Sequence, residues 1–323
     1  MTDFRVNMEN QQLQIWINSS LGEETSRRLV AEVAACGASL STEAAALESA
    51  VIAFGQPDVE VLLRSRTLRW VQLDSAGYER YDREDLRHHL RGSNLTITNS
   101  SQVYAQPCAE HLLAMIFALA RQLPGAMAAQ TGDHSWPMVR LRAESRLLQG
   151  QRALLLGYGT IARTVAALLA PLQMELCGYR RHPDGREEIP MVGEAGLAQE
   201  LARADHVINI LPASPTTRGF CDTEFFARLK PGAIFYNIGR GITVDQEALR
   251  RSLETGHLAA AALDVTDPEP LPPDHPLWTA PNCLITPHTA GGHGREKEVL
   301  LDHFLANLRR YLRGEPLADR ILG

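Results

Sequence analysis

Three ionisable side chains stand just after three strand-like runs in the last third of the sequence. They are Arg240, Glu269 and His288. Because ligands of an open parallel sheet bind beyond the carboxyl ends of its strands, we expect these side chains to converge. An arginine can bind a carboxylate through two hydrogen bonds, a histidine can transfer a proton, and a glutamate can orient that histidine. The pattern predicts a site for a carboxylate-bearing substrate; the alternative is three ordinary polar residues at loop starts.

A glycine-rich loop lies earlier in the chain, between the apolar run 153–156 and the helix-like run 160–172. It carries Gly157, Gly159 and Ala162 at the spacing of a dinucleotide-binding loop. There the first glycine permits a tight turn, the second lets the backbone approach a pyrophosphate, and the small third residue lets the helix pack on the strand. We therefore predict that backbone N–H groups at the helix start face a dinucleotide pyrophosphate. The predicted contacts are Gly157, Tyr158, Gly159, Thr160 and Ile161.

The residues after the next strand-like run, 174–179, indicate which dinucleotide binds. An acidic residue is expected about 20 positions after the loop, where its carboxylate would bind the ribose hydroxyls of NAD. That residue is absent, and Arg180 and Arg181 stand there instead. Two guanidinium groups favour the additional 2′-phosphate of NADP. We predict NADP, with NAD as the second choice; the alternative is that both arginines belong to a solvated loop.

Strand-like and helix-like runs alternate along both halves of the chain, which predicts an α/β fold with parallel sheets. In the first half the strand candidates are 13–18, 37–42, 50–54, 68–73 and 95–98. From residue 152 they are 153–156, 175–179, 206–211, 234–238, 260–265 and 283–285. Six strands with helices between them match a full dinucleotide-binding sheet.

The run 107–121 is predicted to be a helix that joins the two halves. Pro107 suits a first helical position, because proline lacks the N–H that is unpaired there. The run has little polar face, and a helix that is apolar nearly all round is expected to be buried, either by the two lobes or by a second subunit.

Composition and charge are those of a soluble globular protein of two domains. The chain has 323 residues, of which 45% are hydrophobic and 22% charged, and its net charge of −6 gives no general attraction to nucleic acid or to an anionic membrane. No apolar run approaches the length of a membrane span, and residues 1–5 lack a signal-peptide core. The five cysteines form no CxxC pair, so neither a disulfide framework nor a metal site is indicated, and a cytoplasmic location is expected.

Longer runs of the sequence resemble a known family. In chain order they are 107–113, 157–162, 211–220, 229–241, 261–271 and 286–292. In order and spacing they are similar to the D-isomer-specific 2-hydroxyacid dehydrogenases, over roughly residues 68 to 318. The first sixty residues match that family in architecture alone.

The resemblance implies a role for each residue of the predicted site. Arg240 would hold the substrate carboxylate and carbonyl, His288 would be the acid/base, and Glu269 would pair with His288. Asp264 would contact the carboxamide side of the nicotinamide. Further cofactor contacts would be Leu211, Pro212 and Ile238, and the backbone of Ser75, Ala76 and Gly77 would bind the substrate carboxylate.

The resemblance also implies two domains, one of which is discontinuous. We expect a flavodoxin-like substrate domain from residues 1–101 and 291–323, and a Rossmann cofactor domain from residues 102–290. The expected fold class is therefore α/β with two doubly wound parallel-sheet lobes, and homodimerisation through the cofactor domain is implied as well. The chain departs from the family pattern at Ala162, where a glycine is usual, and at Arg180, where an acidic residue is usual. The second departure puts NAD preference in doubt.

Together these features predict an NADPH-dependent enzyme that reduces a short 2-keto acid, of the glyoxylate or hydroxypyruvate type, to the D-2-hydroxy acid. Three alternatives stay open. They are a phosphoglycerate dehydrogenase-like enzyme, a phosphite-type oxidoreductase, and a non-enzymatic NAD(P)-sensing protein like the family's corepressors.

Five other side chains have weaker claims on function. His111 is expected at a helix start in an interface rather than in catalysis. Trp136 is expected either to close the pocket or to lie in the core. Arg140, Arg142 and Arg146 could reach a substrate phosphate, although a subunit contact or solvent is the stronger expectation.

Overall fold

The computed structural model describes residues 13–322; the stretch 1–12, which includes the residues examined for a signal peptide, lies outside this range. The strands are β1 (Gln14–Ile17), β2 (Ser39–Ser41), β3 (Ile52–Phe54), β4 (Trp70–Gln72), β5 (Thr96–Thr98), β6 (Arg152–Leu156), β7 (Glu175–Tyr179), β8 (Met191–Val192), β9 (His206–Asn209), β10 (Ala233–Asn237), β11 (Leu258–Leu263), β12 (Cys283–Ile285) and β13 (Arg320–Leu322). The α-helices are α1 (Glu23–Ala35), α2 (Val59–Arg64), α3 (Glu84–Arg91), α4 (Ser101–Ala120), α5 (Leu123–Thr131), α6 (Met138–Glu144), α7 (Thr160–Leu169), α8 (Glu194–Leu201), α9 (Thr223–Ala227), α10 (Gln246–Glu254) and α11 (Glu296–Arg313).

The chain divides into two units. The first contains the chain up to Tyr104 and again from His293, and the second runs from Ala105 to Gly292. The divisions expected from the sequence, after residues 101 and 290, lie a few positions earlier. The assignment of substrate to the first unit stays a prediction.

The first unit is built on a sheet of strand order β13-β5-β4-β3-β1-β2. The five strands β1 to β5 are parallel and follow the flavodoxin-like order 2-1-3-4-5, whereas β13 pairs antiparallel with β5. The second sheet has the order β12-β11-β10-β9-β6-β7-β8, and all its pairs are parallel. Counted from β6, this is the Rossmann order 3-2-1-4-5-6 with one more strand at the β12 edge. The predicted fold class is confirmed.

Two faces of the first sheet are buried by different parts of the chain. Successive side chains of a strand point to opposite faces, so Ile52 and Phe54 of β3 enter one core and Ala53 enters the other. Helix α11 covers the first face, where the ring of Phe304 stacks on that of Phe54 with centroids 4.3 Å apart. Because α11 comes after the second unit in the chain, the first unit is completed only by this C-terminal return.

Helix α4 begins six residues before the predicted start, so the placement of Pro107 at a first helical position is wrong. Folded partners supply acceptors for the early N–H groups. The amide of Ser101 donates to Asn99 Oδ1 (3.3 Å), and the amide of Gln102 donates to Asp319 Oδ2 (2.9 Å). Asp319 lies more than 200 positions away in the chain, and the sequence pattern of the helix contains no trace of it.

By length and composition alone, α4 could cross a membrane, which corrects the expectation that no apolar run approaches that length. Half of the apolar window is buried inside the protein, and core helices of soluble proteins pass the same test.

Strands β8 and β13 were not predicted. They have two and three residues, which is too short for a period-2 pattern to be recognised. Both are strands at the edges of their sheets, formed by pairing with β7 and β5 respectively.

Candidate active site

The glycine loop follows β6, at the point where the strand order of the second sheet reverses. Strand β7 pairs with one side of β6 and strand β9 with the other. Gly157 has a φ of 87°, and a Cβ there would lie 3.2 Å from the carbonyl oxygen of Ile210. Gly159 precedes α7, and a Cβ built on it would meet no atom within 4 Å. No side chain caps α7, so its first N–H groups keep their hydrogen-bonding capacity. These features suit the pyrophosphate of a dinucleotide.

The segment 180–190 is linked to this loop and to α7 through Glu188. The hydroxyl of Tyr158 donates to Glu188 Oε2 (3.0 Å), and Arg163 is ion-paired with the same carboxylate. The guanidinium of Arg163 also lies 5.4 Å from the centre of the Tyr158 ring. Burial, together with Glu188, raises the pKa of Tyr158 to about 12, so this hydroxyl remains protonated.

Arg180 and Arg181 have different surroundings. Arg180 Nη1 lies 3.0 Å from Oε1 of Glu187, whose side chain is only 2% exposed. Glu187 also accepts the backbone N–H groups of Asp184 (3.1 Å) and Gly185 (2.9 Å). These hydrogen bonds, that from Asp184 first, lower the pKa of Glu187 to about 2. Arg180 is therefore held by a permanent negative charge, whereas Arg181 is exposed.

His288 and Glu269 meet as predicted. His288 Nδ1 donates a short hydrogen bond to Glu269 Oε1, and the two side chains are 50% and 42% exposed. They follow β12 and β11, and Arg240 follows β10, so the three residues lie after the carboxyl ends of adjacent strands. Arg240 Nη1 donates to the carbonyl of Gly239 (2.8 Å). The imidazole Nε2 is left as the nitrogen with which His288 can exchange a proton.

Asp264 fixes the loop that carries His288. Its carboxylate is buried and accepts the backbone N–H groups of Thr289 at Oδ1 (2.9 Å) and Ala290 at Oδ2 (3.0 Å), and the hydroxyl of Thr286 at Oδ1 (2.7 Å). The N–H of His288 donates to the Asp264 carbonyl (2.8 Å), and His288 has a φ of 51°. A non-glycine residue in this left-handed region is uncommon and is found where surrounding contacts impose it. The nicotinamide contact expected for Asp264 stays a prediction.

Two buried asparagines hold the loops after β9 and β10, and sequence reasoning missed both. Asn209 donates to Asn237 Oδ1 (3.1 Å) and to Thr243 Oγ1 (2.7 Å). The carbonyl of Arg240 accepts hydrogen bonds from Asn237 Nδ2 (3.2 Å) and from the Thr243 hydroxyl (2.7 Å). Leu211, which was predicted to contact the cofactor, donates its N–H to Asn209 Oδ1 (3.2 Å). The sequence clue to these contacts was that an asparagine ends each of two central strands, β9 and β10.

The predicted cofactor contacts come soon after these asparagines. Leu211 and Pro212 follow Asn209, and Ile238 follows Asn237. Leu211 and Ile238 are buried, and Pro212 is exposed. Close packing constrains the backbone beyond Ile238, since a Cβ on Gly241 would lie 1.9 Å from the carbonyl oxygen of Thr266. Only glycine fits there, which explains one of the two glycines that flank Arg240.

The loop predicted to bind the substrate carboxylate belongs to the first unit. Its carbonyls are engaged, because those of Ser75, Ala76 and Gly77 accept from Ser100 N (2.9 Å), Asn99 Nδ2 (2.7 Å) and Ser75 Oγ (2.6 Å). Within residues 13–322, no acceptor is found for the backbone N–H groups of these three residues. The loop thus offers a row of N–H donors, as an anion site requires.

The remaining candidates lie in the second unit. His111 is the eleventh residue of α4, so the helix-start expectation is wrong, and Trp136 is 90% exposed in this unit, which rules out the core alternative. Arg140 pairs with Glu144, and Arg146 donates to the carbonyl of Gly232. Arg142 is exposed. Across residues 13–322, no three His, Cys, Asp or Glu side chains are grouped in a way that could hold a metal ion.

Residues 113–290 match the model of the D-isomer specific 2-hydroxyacid dehydrogenase NAD binding domain. The chain belongs to this family. The human glyoxylate reductase/hydroxypyruvate reductase is 31% identical over 236 residues, which are 72% of this chain and 71% of that protein. A D-3-phosphoglycerate dehydrogenase of Mycobacterium tuberculosis is 30% identical over 82% of this chain but only 49% of its own length.

Solved structures agree with the family assignment. A D-isomer specific 2-hydroxyacid dehydrogenase from Xanthobacter autotrophicus Py2, in complex with NADPH and MES, superposes with a TM-score of 0.80 at 27% identity and covers 96% of this chain and 98% of that one. As a member of the D-2-hydroxyacid dehydrogenases, the chain is an oxidoreductase with a Rossmann NAD(P)-binding domain. The resemblance found in the sequence is confirmed.

Proposed function

We propose that this protein uses NADPH to reduce a short 2-keto acid to the D-2-hydroxy acid, with His288 as the proton donor. The observation that carries the proposal is the hydrogen bond from His288 to Glu269. These two residues follow β12 and β11, and Arg240 follows β10, the next strand of the same sheet. A histidine whose Nδ1 is held by a carboxylate presents Nε2 in one defined orientation, as a proton donor needs.

Each residue of the site has a role in this reaction. When bound, the nicotinamide supplies a hydride to the keto carbon. The imidazolium of His288 gives the Nε2 proton to the carbonyl oxygen and becomes neutral, while Glu269 stabilises the charged form before transfer. Arg240 binds the carboxylate and stabilises negative charge that develops on the oxygen. The N–H groups of the Ser75-Ala76-Gly77 loop are proposed as donors to a substrate carboxylate.

We expect His288→Ala to lower kcat for keto acid reduction by roughly 10²–10⁴, the usual contribution of general acid–base catalysis. Glu269→Gln removes a charged hydrogen bond of about 1.5–3 kcal/mol and should lower kcat roughly 10- to 100-fold. Steady-state rates on the purified variants measure both effects. His88→Ala, at an exposed histidine of α3, is the matched control and should retain full activity. Full activity in His288→Ala would remove this residue from the mechanism.

The NADP preference rests on Arg180 and Arg181. Glu187 orients the first and already compensates part of its charge, whereas the second is exposed and open to a phosphate. The related structure from Xanthobacter autotrophicus Py2 holds NADPH. One productive arginine–phosphate contact contributes about 1.5–3 kcal/mol, which is roughly 10- to 100-fold in kcat/KM.

We therefore expect kcat/KM to be roughly 10- to 100-fold higher with NADPH than with NADH. Arg180→Asp and Arg181→Asp should each reduce this ratio, and the double variant should reduce it most, because aspartate repels the 2′-phosphate and accepts ribose hydroxyls. Arg186→Asp makes the same charge change in the same exposed segment and should leave the ratio unchanged. Equal efficiency with the two cofactors in the unaltered protein would overturn the assignment.

Small substrates are favoured by the first unit. Its loop at Ser75-Ala76-Gly77 offers donors for one carboxylate, and the guanidinium of Arg69 folds back onto the carbonyls of Arg66 and Leu68 instead of forming a second anion site. The similarity to the human glyoxylate reductase/hydroxypyruvate reductase, at 31% identity over 72% of this chain and 71% of that protein, supports the same class of substrate.

Initial rates with NADPH should be measured on glyoxylate, hydroxypyruvate, pyruvate, phenylpyruvate and 3-phosphohydroxypyruvate. We expect the highest kcat/KM with glyoxylate or hydroxypyruvate. If the phosphorylated acid is best, the small-substrate proposal is wrong, and Arg140 and Arg142 are the first residues to substitute. If NADPH binds but no acid is turned over, a cofactor-sensing binding protein is the better description.

We also propose that the protein forms a homodimer through the second unit. Of the large hydrophobic side chains that are exposed in the described chain, six fall in one segment of 25 residues: Leu123, Met127, Trp136, Met138, Val139 and Leu147. The same segment lines a cavity of about 900 Å³ with the amino-terminal ends of β11 and β12, away from the candidate active site. Six exposed apolar side chains within one short segment are typical of a surface that binds another protein chain.

Light scattering coupled to size-exclusion chromatography should give twice the chain mass of 35.6 kDa. Met127→Glu with Val139→Glu should shift the protein towards the monomer, because charges would be buried without partners. Two exposed positions outside the segment, Val30→Glu and Leu312→Glu, are the control pair and should leave the mass unchanged. A monomer at micromolar concentration in the unaltered protein would contradict the dimer.

A further inference from the structure

His111 of α4 reaches the loop that carries His288. Its Nε2 lies 3.0 Å from the hydroxyl oxygen of Thr286 and 3.6 Å from Asp264 Oδ1, and its side chain is 23% exposed. The Thr286 hydroxyl has one hydrogen, which it donates to Asp264 Oδ1 (2.7 Å). Thr286 must therefore accept at its oxygen, and the donor is the Nε2–H of His111.

We call the hydrogen bonds from His111 to Thr286 and from Thr286 to Asp264 the relay. It ends on the Asp264 carboxylate, which shapes the loop that carries His288. Asp264 binds the backbone N–H groups of Thr289 and Ala290, and its carbonyl accepts from the N–H of His288. His288 sits in the left-handed region at a φ of 51°, a conformation that persists only where neighbouring contacts impose it. A donor that orients Thr286 therefore acts on the loop through the same carboxylate that imposes the strained conformation.

We infer that His111 is a positioning residue for the proton transfer: it orients Thr286 and Asp264, and through them the imidazole of His288. It touches neither substrate nor reacting atoms in this role, so it is not a catalytic residue. The inference rests on the proposed function, in which His288 donates the proton. It also explains why a helix that is otherwise packed through Leu112, Met115 and Ile116 carries an imidazole at this position.

His111 needs only its Nε2–H for the hydrogen bond to Thr286. Asp264 is the carboxylate that faces it from the strand side, and it is already supplied with three hydrogen bonds from the loop. Glu110, the neighbouring acid on α4, is exposed and pairs with Gln106 (2.7 Å). The neutral imidazole with a proton on Nε2 is sufficient for the relay, so a neutral donor of similar reach should replace it.

The test compares His111→Ala with His111→Gln, since the glutamine amide keeps a donor near the position of Nε2. Loss of one hydrogen bond should lower the single-turnover rate of hydride transfer and kcat roughly 3- to 10-fold in the alanine variant. The KM for the keto acid should change less than twofold, because Arg240 is not moved. The glutamine variant should recover the rate to within twofold of the unaltered protein. Gln106→Ala, five residues earlier on α4, is the control and should have the unaltered rate.

Thr286→Ala removes the middle of the relay and should reproduce the alanine effect at His111. The double variant His111→Ala with Thr286→Ala should be no slower than either single variant, because residues in one relay are not additive. Urea unfolding of every variant shows whether a lower rate is accompanied by a lower free energy of unfolding. Unchanged kcat in His111→Ala, or no rescue by glutamine, or additive losses would each overturn the inference. If His288→Ala is itself fully active, the proposed function has failed; if only the His111 variants are normal, the function stands and the relay does not.

Discussion

The hydrogen bonding of the buried Asp264 carboxylate is the interaction on which the candidate active site of the second unit depends. A carboxylate that is 2% exposed must be hydrogen-bonded, because an unpaired charge away from water is very costly. Its partners come from the loop 286–290, so satisfying Asp264 and shaping this loop are one event. The left-handed conformation of His288, a cost of about 1–3 kcal/mol, is held by the same bonds. The position of His288 thus follows from a requirement of the core.

The same principle sets the neighbouring loops. Asn209 and Asn237 are buried at the ends of β9 and β10, and their amides bind the loop backbone that follows each strand. In the first unit, Asn99 binds the carbonyl of Ala76 and leaves the N–H groups of the loop available. Polar side chains at the carboxyl ends of strands therefore do more than avoid unpaired groups. Asn99 turns a carbonyl inward and leaves the neighbouring N–H groups available, as an anionic ligand needs, whereas Asn209 and Asn237 bind the N–H groups of Leu211 and Gly239 and so fix the course of those two loops.

Charge in the segment 180–190 is balanced rather than simply positive. Glu187 holds Arg180, and Glu188 holds Arg163 together with the hydroxyl of Tyr158. Glu188 holds the segment against the glycine loop and Glu187 orders it internally, but both glutamates also offset cationic groups that would bind a phosphate. The sequence pair Arg180-Arg181 therefore overstates the positive charge of this surface, because only Arg181 of the two is exposed.

Because apolar periodicity and loop chemistry are local properties, the sequence by itself determined the fold class, eleven of the strands nearly in place and the glycine loop. The pairing of Glu269 with His288 followed from their places after strand-like runs and from the family resemblance. The sequence did not determine the start of α4, the strands β8 and β13, or the roles of Asn209 and His111. Each of these depends on a partner in another element of the fold: Asp319 for α4, β7 for β8, β5 for β13, Thr243 for Asn209 and Thr286 for His111. A hydrogen bond between such residues exists only when packing brings them together, and that was decided by the tertiary structure.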